Sequence, residues 1–139
     1  MLHRLGIVPV LLAGALMVSA CSPASAQMKA PPGGTFKAVS GLVPLPDFIP
    51  GLGTLFVDPA TLPAGPFLAY DKQGTLVSTI YMIPISDIQD HKSFNNLGVA
   101  KEKVDHVDMY YNAGHPGVAT PHYHVVVWYV SPDKANSLK

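Results

Sequence analysis

Three of the six histidines in this 139-residue chain, His115, His122 and His124, fall within ten positions. They stand in GHPGVATPHYHVVVWYV, residues 114–130. Neutral imidazole is a common ligand of divalent transition metals, and near neutral pH it also donates and accepts protons. The preceding apolar segment, VDHVDMYY (104–111), adds His106 and Asp108. Such a set can hold a metal ion if the chain brings its members to one face.

Side chains alternate between the two faces of a strand. As a strand, residues 122–130 place His122, His124, Val126, Trp128 and Val130 on one face. On 104–111, His106, Asp108 and Tyr110 share a face, with Val107 and Met109 on the other. If the apolar faces coincide, with Val107 and Met109 alongside Val125 and Val127, paired residue numbers sum to an even value. Asp108 opposite His124 is the example we expect. An odd register would scatter the polar groups and bury Asp105 instead. Opposed Cβ atoms lie about 4.5–5.5 Å apart, near enough for several side chains to reach one ion. The expected metal ligands are therefore His106, Asp108, His122 and His124, with His115 reaching in from the loop above. Nitrogen and oxygen donors without sulfur suit Zn²⁺, Cu²⁺, Ni²⁺ or Fe²⁺, of which Zn²⁺ and Cu²⁺ lead, and exclude a blue-copper site. The plainer reading is that His-x-His decorates a strand, and that His115-Pro116 and Pro121-His122 only shape turns.

The elements that must position these residues are short. TLFVD (54–58), FLAYD (67–71) and TLVSTIYMI (75–83) read as strands, the last two flanking a Lys72-Gln73-Gly74 turn in which glycine permits a positive φ. PISDIQDHKSFNNLG reads as one short helix, with Ser86 as N-cap, Gln89 three residues on, and Ile85, Ile88, Phe94 and Leu97 near helical spacing. Asp90 and His91 on it read as a solvated pair. VDHVDMYY and HYHVVVWYV are rich in β-branched and aromatic residues and form the last two strands. NAGHPGVATP between them, with two glycines and two prolines, is a loop. The expected fold is α+β: predominantly an antiparallel β sheet, or a small barrel, with one short helix, in a domain over 54–135.

Ahead of it, residues 42–53 interleave prolines with Leu42, Val43, Leu45, Phe48, Ile49 and Leu52. Proline donates no ladder hydrogen bond, so the segment cannot be a central strand. Its apolar side chains still need cover, which predicts an extended arm packed on the domain or on a second copy in a homo-oligomer. Residues 21–41 read as a flexible tether. Residues 1–20 read as a signal peptide, with an h-region of about 14 residues from Leu5 to Val18. Val18-Ser19-Ala20-Cys21 resembles a lipobox, and Cys21 is the one cysteine of the chain. Lipidation there would anchor the protein on the periplasmic side of the outer membrane. Cleavage after Ala24-Ser25-Ala26 would instead release it as a soluble periplasmic or secreted protein.

The rest of the composition excludes more than it proposes. Charged residues are 13% and formal net charge is zero, with no basic stripe, so nucleic acid is not an expected partner. A mature chain without a free cysteine has neither disulfide framework nor thiolate chemistry. No nucleophile elbow, phosphate loop or helical His-Glu-x-x-His occurs.

Two family patterns bear on the histidines. His122-Tyr123-His124 resembles the first cupin motif, but Val125-Val126-Val127-Trp128 stands where cupins carry a glutamate. The run GPFLAYDKQG…VSTIYMIP…VDHVDMYYNAGHPGVATPHYHVVVWYV resembles an uncharacterised family of exported bacterial proteins. Its members carry a GHP loop followed by a Pro-His-x-His or Pro-His-x-x-His strand. The resemblance covers about residues 54–131 and implies a small β-rich domain, with no activity attached. Together these readings point to an exported, lipid-anchored domain that binds a divalent transition metal for storage, delivery or sensing. The alternatives are a metal-dependent enzyme using Asp108, Tyr110 or Tyr123 in acid/base roles, and a self-assembling structural module without catalysis.

Overall fold

The computed structural model describes residues 29–139. The signal-peptide and Cys21 assignments lie outside the described residues. The strands are β1 (Lys37–Ala38), β2 (Thr54–Val57), β3 (Phe67–Tyr70), β4 (Leu76–Pro84), β5 (His106–Asn112) and β6 (His122–Trp128). Two short helices, α1 (Ile85–Gln89) and α2 (Pro132–Asn136), complete the set of α and β elements among the described residues. The strands form one open sheet in the order β1-β2-β3-β4-β6-β5, and each neighbouring pair is antiparallel. The fold is thus the expected α+β, predominantly antiparallel β, as a sheet with two free edges and not as a closed barrel.

β4 explains the centre of the sheet. Its nine residues are apolar or hydroxylated throughout, and all but Pro84 are buried. A strand covered on both faces needs such a run, whereas a half-exposed strand would alternate. β6 does alternate: His122, His124, Val126 and Trp128 are buried and the residues between them are half-buried. The main core lies on this histidine face. It joins Val57, Phe67, Ile80, Met82, Val126 and Trp128 to Ala135 and Leu138 at the C-terminal end. A smaller cluster around Leu68, Tyr70, Leu76 and Ala100 covers part of the opposite face.

Several local expectations change. Residues 29–41, expected as tether, are docked: Lys29 bridges to Thr75, β1 pairs with β2, and Val39 is buried. The helix after Pro84 is shorter than its apolar spacing implied. Pro84 itself is the N-cap, Ser86 lies inside the helix and makes no cap, and α1 ends at Gln89 with His91 at φ 57. Phe94 and Leu97 follow in irregular chain. α2 was missed, although Ser131 caps it through Lys134 N and Pro132 occupies its first turn, a recognisable start signal.

Residues 42–52 fold back on the histidine face, where Val43, Leu45, Phe48 and Leu52 pack against the main core. The segment is pinned at its far end, where Gly51 N donates to Leu138 O at 2.6 Å. It also presses on the loop after β5. A Cβ at Gly117 would meet Val43 Cγ1 at 2.9 Å, and Gly117 sits at φ +90. Gly117→Ala is therefore expected to cost about 1–3 kcal/mol of unfolding free energy. Gly41→Ala, at a glycine with open space and no positive φ, serves as the control and should cost far less. Chemical denaturation of both variants checks this, and equal stability would mean that the arm and the loop do not press on one another.

Candidate metal centre

The loop between β5 and β6 is built to hold one side chain still. His115-Pro116-Gly117-Val118 closes on itself through Val118 N to His115 O and His115 N to Val118 O, both 2.9 Å. Proline at the second position and a positive-φ glycine at the third are the signature of a type II turn. Gly114, at φ +126, lets the loop cross close to Ala119 O, where a Cβ would stand 2.6 Å away. This turn carries His115 over the end of β6. His115, expected to reach in from the loop above, sits on a hydrogen-bonded turn braced by the arm.

His122 and His124 then rise from the buried face of β6. The rings of His115, His122 and His124 lie 5.0, 5.6 and 4.9 Å apart, centroid to centroid. One ligand atom from each falls within 4.8 Å of the others, so the three side chains are close enough to hold a metal ion. His122 is fully buried and His124 nearly so, at 0% and 5% exposure.

Hydrogen bonds fix which nitrogens face inward. His122 Nδ1 lies 2.7 Å from Thr120 O, and His115 Nδ1 lies 3.0 Å from Pro116 O. A carbonyl only accepts, so each Nδ1 carries the proton and each neutral ring keeps its lone pair on Nε2. His124 Nδ1 lies 3.1 Å from the Tyr110 hydroxyl. Its Nε2 faces His122 Nε2 at 3.0 Å. In the metal-free protein, His124 must supply the Nε2 proton and Tyr110 must donate to His124 Nδ1.

The remaining expected ligands fall elsewhere. β5 and β6 pair with Val107 opposite Val127 and Met109 opposite Val125, so the parity is the expected even one. The register is two residues further on. Tyr110, not Asp108, stands opposite His124; Asp108 opposes Val126 and His106 opposes Trp128. Side chains hold this register: Trp128 Nε1 donates to Asp108 Oδ2 at 2.8 Å, and His106 stacks on the Trp128 ring at 6.0 Å. His106 also contacts Asp105 at 2.8 Å. His106 and Asp108 thus belong to a surface group around Trp128, outside the triad. Tyr123, an acid/base candidate, points to the opposite face beside Tyr111. Tyr110 is the group that had not been given its place as His124's partner, and only the true register could have supplied it.

Electrostatics favour a neutral His124. Burial, then the proximity of His122 and His115, pushes His124 down to about 4. Burial first, and then Asp108, raises the Tyr110 phenol above its ordinary range. The hydroxyl therefore stays protonated across the physiological range.

An open antiparallel sheet that carries two buried histidines on one strand and a half-buried third on its hairpin loop defines the class of this protein. Residues 71–111 match the family model TTHB210-like, "Hypothetical protein TTHB210". The crystal structure of hypothetical protein TTHB210 from Thermus thermophilus is similar to this chain at 44% identity and a TM-score of 0.62, covering 68% of this chain and 92% of that one. The chain belongs to the TTHB210-like family. No match was found among curated proteins.

His124 makes the metal-free protein sensitive to acid. Its folded value lies below the 6.5 of an unperturbed histidine, so the unfolded chain binds more protons between those two values. The stability it contributes is present above pH 6.5 and is lost as pH falls toward 4. Denaturation in the presence of a chelator should show this decline, amounting to a few kcal/mol at most. His124→Gln should flatten that part of the profile, and an unchanged profile would show that His124 is not the source.

Proposed function

We infer that the chain binds one divalent transition metal ion through Nε2 of His115, His122 and His124. The observation that carries this is the orientation of the rings: outward nitrogens occupied by Pro116 O, Thr120 O and Tyr110, inward nitrogens converging. Ligating histidines ordinarily show this arrangement, in which an outer partner fixes the tautomer and aims the ring. Three imidazoles and no sulfur suit Zn²⁺ or Cu²⁺, with at least one coordination position left for another donor. Binding requires His124 to move its proton from Nε2 to Nδ1 and Tyr110 to turn from donor to acceptor. A phenol hydroxyl serves either way. The set supports a role in holding, delivering or sensing metal.

Elemental analysis and titration calorimetry with Zn²⁺ and Cu²⁺ test the assignment. His122→Ala and His124→Ala should each weaken binding at least tenfold, and His106→Ala should leave it within about twofold. Tyr110→Phe, which removes an outer partner, should cost about 10-fold or more. Affinity should fall as pH approaches about 4, where protons compete with the metal for His124. Equal weak binding by wild type and His124→Ala would remove the histidines from consideration.

The export reading stands beside this one. The h-region and the single cysteine support a chain anchored by lipid at Cys21 and facing the periplasm. The wild-type protein should then fractionate with membranes and Cys21→Ser should be released from them. A soluble wild-type protein beginning at Gln27 would select ordinary cleavage.

A further inference from the structure

The triad borders a second feature that metal binding alone does not use. A cavity of about 250 Å³ lies between the arm and the sheet, and His115 and His124 form part of its wall. The rest is almost wholly apolar: Val43, Leu45 and Leu52 come from the arm, Ile80 and Met82 from β4. No carboxylate lines it, and Asn112 is its one polar side chain besides the histidines. Asn112 Oδ1 already accepts from Gly114 N at 2.9 Å, which leaves its amide NH₂ without a partner among the described residues.

Charge decides what such a cavity would take. Three neutral imidazoles leave a divalent ion with its full double charge, and no acidic side chain joins the cluster to offset it. A charge next to apolar walls is costly unless a counter-charge accompanies it. An anionic donor in the open coordination position supplies one, and the cavity beside it accepts an apolar tail. Resting on the metal assignment above, we propose that the site binds small monocarboxylates with an apolar tail. The carboxylate ligates the metal and accepts from Asn112, and the tail fills the cavity under the arm. Benzene fits an apolar cavity of about 150 Å³, so this one takes an occupant of about ten non-hydrogen atoms. Octanoate has that size.

The test uses the full chain carrying Cys21→Ser, so that no acyl anchor competes for the cavity, loaded with Co²⁺ as a visible reporter of coordination. Octanoate is expected to change the Co²⁺ spectrum and to bind at least tenfold more tightly than acetate. 1-Octanol, which lacks the anion, is expected to leave the spectrum unaltered. Leu52→Phe and Leu45→Phe narrow the cavity without touching the triad; a variant that still takes up Co²⁺ is folded at the site and should lose the preference for octanoate over acetate. Normal Co²⁺ uptake with equal affinity for acetate and octanoate overturns the carboxylate proposal and leaves the metal assignment standing. So does octanoate that raises thermal stability with no spectral change, since it then binds away from the ion. Failure of the wild type to take up Co²⁺, or any other divalent ion, overturns both.

Discussion

The lone pairs of His122 and His124 cannot face one another across 3.0 Å unless a proton or a cation stands between them. Because Thr120 O fixes the proton of His122 on Nδ1, the choice falls on His124. Without metal, His124 points its only proton at His122 and must find a donor for its other nitrogen, which Tyr110 provides. Were a metal bound between them, His124 would have to reverse its tautomer and Tyr110 its hydrogen bond. The rest of this corner of the protein follows from that requirement. The register of β5 brings a hydroxyl, which can both donate and accept, to the one place where the reversal needs it. The apolar cover of the histidine face, with His122 and His115 close by, lowers His124 to about 4 and keeps that ring neutral near pH 7.

Such a pair is an unfavourable way to fill a core. Two of the four buried side chains of β6 are imidazoles, where valine or leucine would pack without any hydrogen-bonding demand. Stabilisation comes instead from the neighbours: β4, buried along nearly its whole length, and the arm, which brings Val43, Leu45, Phe48 and Leu52 onto the same face. The arm therefore acts twice. It covers apolar surface that the sheet would otherwise expose, and it presses on the GHPGV turn that holds His115.

Alternation along β6 was legible from the sequence because a strand has a period of two, and the parity of its pairing with β5 followed from matching Val107 and Met109 with Val125 and Val127. The register itself was not legible. The long loop between the strands, 113–121, does not set it as a two-residue turn would. The Trp128–Asp108 hydrogen bond and the His106 stack do, and both join residues distant in sequence. That shift of two residues removed His106 and Asp108 from the cluster and brought in Tyr110. Which face carries the main core was also hidden. Val107 and Met109 look like core residues but are 55% and 59% exposed, because the arm and α2 cover the histidine face instead. Only the need of an apolar, proline-rich segment for cover hinted at that packing. α2 carried a readable cap, but five residues produce too little periodicity to stand out.

The supports of the triad are unequal in a way that bears on how it accepts an ion. β6 is hydrogen-bonded on both sides, to β4 and to β5, so His122 and His124 stand on a firmly held strand. β5 is an edge with a single neighbour, and its outward residues are exposed. Local opening of a sheet begins at such edges. Tyr110 therefore adjusts more readily than the His124 it partners. His115, on a tight turn braced by Val43, falls between the two extremes. Two rigid ligands would define the position of a bound ion, and a third contributed by a turn would close on it. The outer hydrogen bond that would have to reverse on metal binding is borne by an edge strand. A site on a central strand with its tyrosine equally fixed would meet the same tautomer change with no freedom to rotate the phenol into its new role.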